Sequence, residues 1–238
     1  LKHYPSKEDL DAVVSERPVL LWNANRHMLV LNSKGLELLR ISAKTPDPEN
    51  GEIRKDAKGE PSGILLEAAA LEAERKVDNP NMEELRQAFK LAQEQALQYG
   101  VTSVQGGPIR GEDEIRILEE LYTTKQLHVR YSIWGDLEEP QEFLALKEKY
   151  KHLPEEWVRF DAVKGFIDGV LSSRTAALLE PYSDQMKTKG ESRYTQERLN
   201  ELVLNANRLG LPAALHAIGD RAVSMAVTSI VRSKRQLF

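Results

Sequence analysis

Two residues stand where α/β proteins do chemistry. LPAALHAIGDRAV (211–223) contains an apolar run that reads as a buried strand ending at His216. A turn through Gly219 and Asp220 follows, and then a helix. VRFDAVKGFIDG (158–169) is a second apolar run, carrying Lys164 and Asp168 near its end. Open α/β sheets and α/β barrels gather reacting groups at the C-terminal ends of their strands. A lysine and a histidine at the ends of two successive strands therefore suggest a site. Imidazole is a common ligand of catalytic zinc, although a lone strand-end histidine is more often a hydrogen-bonded structural residue. A lysine inside an apolar strand must snorkel, pair or change its charge state. Three readings of Lys164 stand side by side. It forms a salt bridge with Asp161 or Asp168, or it is a neutral amine that makes a Schiff base, or it captures carbon dioxide as a carbamate able to bridge two metal ions.

Weaker candidates surround this pair. GVLSSRTAALLEPYSD (169–184) offers Ser172, Ser173 and Arg174 to a polar substrate, or as caps of a TAALLE helix. His27 lies between two apolar runs. Glu67, in an alanine-rich stretch, reads as a solvated helix residue. QGGPIRG (105–111) follows a strand and precedes a helix, but it lacks the spacing of a phosphate-binding loop. HExxH, GxSxG and HxH do not occur, and His3, His128 and His152 stand isolated.

The elements that must position these residues fall into two regimes. Up to about residue 80 there is no regular repeat. Ser6 reads as a helix N-cap, PVLLWNANRHMLVLNS (18–33) as a strand pair, and SKGLELLRI (33–41) as a helix. TPDPENGEIRKDAKGEPSG (45–63) reads as loops around a short strand near Ile53, and ILLEAAALEAERKV (64–77) as a helix by propensity. From residue 81 helices and strands alternate. Asn81 and Glu84 form a capping-box pattern, and Gly100 and Gly210 are placed to stop helices. Four strands are predicted, near 101–105, 128–134, 158–168 and 211–217. Alternation with short connections argues for parallel strands. One long connection, about 168–194, follows the Lys164 strand, and long loops at strand ends are often functional.

Composition bounds the rest. The 238 residues are 41% hydrophobic and 29% charged, enough for a real core. With 33 basic and 37 acidic residues, the net charge of −4 gives no reason to expect a nucleic-acid partner. The chain has no cysteine, no apolar run near the ~20 residues of a membrane span and no signal-peptide core at its N-terminus. A cytoplasmic protein without disulfides or a membrane partner is expected. Both ends read as cuts through a longer protein.

Several segments together resemble one family. RPVLLWNANRHMLVLNSKGLELLRI, TPDPENGEIRKDAKGEPSGILLEAA, YGVTSVQ, VKGFIDGVLSSRTAALLEPYSD and LHAIGDRAV are similar, in order, to blocks of the metal-dependent amidohydrolases of the YtcJ-like and N-substituted formamide deformylase type. The resemblance implies an α/β fold. Residues 81–238 would form a partial TIM-like (β/α) barrel, strands two to five, and residues 1–80 part of an α+β insertion between barrel strands one and two. It implies hydrolysis of non-peptide carbon–nitrogen bonds of a small molecule by metal-activated water, with zinc as the expected divalent metal. Lys164, carboxylated, and His216 would be catalytic metal ligands, and His27, Asp168, Ser173 and Arg174 would contact substrate. Arg26 stands where the family has glycine beside His27. VQGG lacks the acidic residue that often follows this strand. The first-strand HxH, the strand-six histidine and the strand-eight aspartate have no counterpart here. The alternative is therefore a non-catalytic half-barrel remnant, inactive alone, that self-associates through exposed barrel edges.

Overall fold

The computed structural model describes residues 4–24, 26–77, 80–109 and 111–237. The chain divides into two compact units. One comprises Leu1–Asn79 with Gly169–Ala176, and the other Pro80–Asp168 with Ala177–Phe238.

The first unit is built on an antiparallel sheet of order β1-β2-β4-β3. Helix α1 (Lys7–Asp11) starts at the predicted Ser6 cap, where Asp9 closes a capping box. Strands β1 (Leu20–Trp22) and β2 (Met28–Leu31) form the expected pair, and α2 (Ser33–Leu38) follows, capped by the Asn32 side chain. Strand β3 (Gly51–Lys55) contains Ile53, as predicted. Strand β4 (Pro61–Glu67) corrects the sequence reading, because Ile64–Glu67 is strand, and helix α3 begins only at Ala68 and runs to Val77. The reason is tertiary. β4 is bonded to β2 on one side and to β3 on the other, and both its faces are covered. Leu65 joins Leu29, Leu31 and Ala70 in one cluster, while Ile64 and Leu66 join Met28 and Val30 in another. A strand covered on both faces shows no polar alternation, so its apolar run passes for a helix.

The second unit carries a four-stranded parallel sheet of order β5-β6-β7-β8: β5 (Ser103–Gly106), β6 (Arg130–Asp136), β7 (Val158–Phe166) and β8 (Ala213–His216). Helix α4 (Met82–Gln98) leads into β5, and α5 (Glu112–Thr123), α6 (Pro140–Lys149) and α7 (Gln196–Arg208) join successive strands. Helix α8 (Asp220–Leu237) follows β8. Parallel strands alternating with helices make this a curled half-barrel sheet within a mixed α/β protein. Asn81 caps α4 and Glu84 completes the capping box, while Gly100 takes the left-handed φ of +73° that ends the helix. The core joins Ile115, Leu118 and Leu121 of α5 to Phe143, Val163, Leu199 and Val203. Strand β8 departs from the sequence reading. All four of its residues are only partly buried, because it is an edge strand with one flank unpaired among the described residues. No helix among the described residues is long and apolar enough to cross a membrane.

Candidate active site

Strands β7 and β8 deliver Lys164 and His216 to one face of the parallel sheet. The register pairs Lys164 with Asp136 of β6 and Ala214 of β8, and Phe166 with His216. Partners in parallel register share a face, and a step of two along a strand returns to it. Lys164, Phe166 and His216 therefore project on the same side, with Trp134 and Asp136 of β6. Lys164 Nζ lies 4.8 Å from the Phe166 ring centroid and 6.0 Å from that of Trp134. The Phe166 and His216 rings are 5.5 Å apart, and the Arg193 guanidinium is 5.6 Å from Phe166.

No carboxylate among the described residues lies within ion-pair distance of Lys164. The salt-bridge reading is thus not realised. Asp161 accepts from Ser132 at 2.5 Å and pairs with Arg159 at 2.6 Å. Asp168 is bonded to backbone N–H groups. Burial pushes the Lys164 ammonium below the ordinary lysine range, because desolvation disfavours the charged form. Trp134 was not singled out by the sequence reading. Its indole Nε1 is buried with no hydrogen-bond partner among the described residues.

Asp168, two residues past β7, is 1% exposed. One carboxylate oxygen accepts from the backbone N–H of Ala177 (2.8 Å) and Gly219 (2.8 Å), and the other from Ile218 N–H (3.0 Å). It ties the point where the chain leaves the sheet, the point where it returns at Ala177, and the turn after His216. Gly219 is required for space, since a Cβ there would run into the Ala177 carbonyl. The TAALLE helix does not form. Ala177 N–H goes to Asp168, Leu178 N–H to Lys189 C=O and Leu179 N–H to Asp220, so tertiary partners take the groups a helix would have used. Only a short 3-10 turn, Leu171–Ser173, is present.

The first unit holds its own polar constellation. His27 Nδ1 is 2.9 Å from Glu67 Oε2, Thr175 Oγ1 donates to Glu67 Oε1 at 2.7 Å, and Ser173 Oγ is 2.8 Å from Thr175 Oγ1. Glu67 is therefore no solvated helix residue. It is 8% exposed, at the end of β4, with a left-handed φ of +49°. Its signal in the sequence was hidden by the helix reading of 64–77. Arg174 also has a left-handed φ, +60°, just past the 3-10 turn. Arg26, beside His27, has φ +64°, the region that favours glycine. Its side chain covers the Trp22 ring at 4.2 Å and pairs with Glu74.

The QGGPI stretch lines a cavity of about 210 Å³ with Phe89, Ile115, Leu118 and Tyr131. These mostly apolar walls suit no phosphate. Arg110 and His3 lie outside the described residues. His152 faces Glu119 at the surface.

The sequence profile of the amidohydrolase family matches residues 2–237. The chain belongs to the amidohydrolase family. It is 33% identical over 227 residues to YtcJ of Bacillus subtilis (strain 168), covering 95% of this chain and 43% of that protein. It is 28% identical over 250 residues to N-substituted formamide deformylase of Arthrobacter pascens, covering 98% and 44%. An uncharacterised metal-dependent hydrolase from Pyrococcus furiosus superposes with a TM-score of 0.66 at 30% identity, covering 98% of this chain and 47% of that one. This amidohydrolase chain thus spans about half the length of the relatives it matches.

Among its described residues no group of three or more His, Asp or Glu side chains is arranged to hold a metal ion. A catalytic zinc site commonly takes three protein ligands and keeps one position open. Lys164 and His216 fit part of such a donor set, as an imidazole and an amine convertible to an oxygen donor on one sheet face, and do not complete it.

Proposed function

We propose that this chain is part of a hydrolase acting on non-peptide carbon–nitrogen bonds of a small-molecule amide or related substrate, with Lys164 and His216 as two ligands of a divalent metal centre. The observation that carries this reading is their shared face at the ends of β7 and β8, with Lys164 desolvated and free of any carboxylate among the described residues. Zinc is the expected cation, supplying Lewis acidity toward water and the scissile carbonyl. In this reading residues 81–238 are barrel strands two to five, and residues 1–80 part of an insertion between strands one and two. His27, Ser173 and Arg174 contact substrate, whereas Asp168, expected beside them, is 1% exposed with both oxygens on backbone N–H groups and supports the turn after His216 instead.

A neutral amine attacks carbon dioxide, forming the N–C bond and releasing one proton to solvent. The product is an anionic carbamate. A lowered Lys164 pKa enlarges the neutral fraction at a given pH, so capture rises with pH and with bicarbonate. The chain, loaded with zinc and ¹³C-bicarbonate, is expected to show a carbamate carbonyl resonance that Lys164→Ala abolishes. Its zinc content, read by plasma mass spectrometry, is expected to fall at least about tenfold in His216→Ala. Zinc content equal in the wild type and both variants would sink the assignment. A screen of formamides and amides then asks for turnover.

A second reading, a half-barrel that associates with a second copy, is favoured by one observation. Val223, Val227, Ile230 and Val231 of α8 are 42–55% exposed at helical spacing. Sedimentation equilibrium should then give a dimer or larger species that Val227→Glu with Ile230→Lys reduces to a monomer. A wild-type monomer at all concentrations would exclude it.

A further inference from the structure

We propose that Glu67 is a positioning residue that sets, through its two carboxylate oxygens, both the tautomer of His27 and the shape of the loop at 170–175. The proposal deepens the reading of His27, Ser173 and Arg174 as substrate contacts and rests on it for its functional meaning.

The proton positions follow from the inventory of donors. As a carboxylate, Glu67 only accepts. His27 Nδ1, 2.9 Å from Oε2, therefore carries its proton, which makes Nε2 the lone-pair nitrogen of the neutral ring. Thr175 Oγ1, 2.7 Å from Oε1, gives its single proton to Glu67. It is then an acceptor toward everything else. It takes Val170 N–H at 3.0 Å, and Ser173, 2.8 Å away, donates to it in preference to the Val170 carbonyl at 3.5 Å. The chain of donation is Ser173 to Thr175 to Glu67, with His27 donating from the other side. Ser173 Oγ is left with acceptor capacity only, a polarity that suits an N–H or O–H group of a ligand.

Two backbone features fit this arrangement. Glu67 adopts φ +49°, a left-handed conformation that a side-chain-bearing residue rarely takes. This conformation turns the chain between β4 and α3 and sets the carboxylate against both partners. At Gly169 a Cβ would collide with Thr175 Oγ1 and the Glu67 carboxylate. The loop then closes on itself, Gly169 N–H to Thr175 C=O at 3.1 Å and Thr175 N–H to Val170 C=O at 3.1 Å.

Glu67→Gln separates the two tasks, because an amide keeps one acceptor oxygen and replaces the other with a donor. It satisfies His27 or Thr175 as they stand, not both. Long-range ¹H–¹⁵N spectra of histidine-labelled chain are expected to show the Nδ1–H tautomer of His27 in the wild type. In Glu67→Gln, either this tautomer shifts or amide exchange at 170–175 quickens by about tenfold. Thr175→Val, which leaves Glu67 intact, should quicken exchange in the loop and keep the His27 tautomer. A Glu67→Gln chain with the wild-type tautomer and wild-type loop exchange would overturn the proposal, as would an Nε2–H tautomer in the wild type. Both readouts are taken without substrate. A chain that binds no metal and hydrolyses nothing would therefore sink the functional reading and leave this test intact.

Discussion

Asp168→Ala is expected to destabilise the second unit by about 3–5 kcal/mol. The substitution removes the acceptor of three backbone N–H groups at once, those of Ala177, Ile218 and Gly219. Ala177 and Gly219 are buried, so water cannot replace the lost carboxylate there, while Ile218 is 44% exposed and can rebond to solvent. Hydrogen bonds to an ionised acceptor contribute about 1.5–3 kcal/mol each, and a buried donor left without one costs about 1–3. Asp168→Asn should be milder but still clearly destabilising, since its amide group meets N–H donors with N–H. Denaturant unfolding followed by amide exchange in β7 and β8 gives the local value. A change below about 1 kcal/mol for the alanine variant would mean that these bonds do not tie the loop.

The counterpart in the first unit is Asn32. It is fully buried, and its amide makes four hydrogen bonds. Oδ1 accepts from Val19 N–H (2.9 Å) and Gly35 N–H (2.8 Å), and Nδ2 donates to the carbonyls of Val14 (2.8 Å) and Arg17 (2.9 Å). It caps α2 and pins the segment after α1 in the same gesture. Asn32→Ala should cost about 2–4 kcal/mol, below the Asp168 figure, because the Val14 and Arg17 carbonyls sit nearer solvent. Asn32→Asp is the sharper test. It preserves shape and both accepting contacts, yet sets a carboxylate oxygen against two carbonyl oxygens. Its loss should match or exceed that of alanine. Wild-type stability in Asn32→Asp would show that the two donated bonds contribute nothing.

The two halves of the chain differed in how much they disclosed. In the second unit each strand is followed by an amphipathic helix, so periodicity and caps read out the order, and Asn81 and Gly100 act as their types suggest. Lys164 and His216 were visible because a basic side chain in an apolar run breaks a pattern. Glu67 was invisible for the converse reason. Its neighbours Ala68, Ala69 and Ala70 carry helix propensity, and nothing local reports that Ile64–Glu67 is clamped between β2 and β3. TAALLE failed in the same way. Its alanines are buried by tertiary packing, and its amides are claimed by Asp168 and Lys189. Asp168 itself was legible as a polar residue at a strand end. That its partners are three main-chain amides depends on where the turn after His216 arrives, which no spacing rule encodes.

Asp168 also makes the segment beyond it replaceable. A loop fixed at its neck loses little when its tip is rewritten, since closure entropy grows only slowly with length. The exposed tip, Leu171 and Ser172, can be exchanged for other residues while Gly169, Ser173, Thr175 and Ala177 keep their places. Substitutions at that tip should leave the unfolding of the second unit, and the strand that carries Lys164, unchanged.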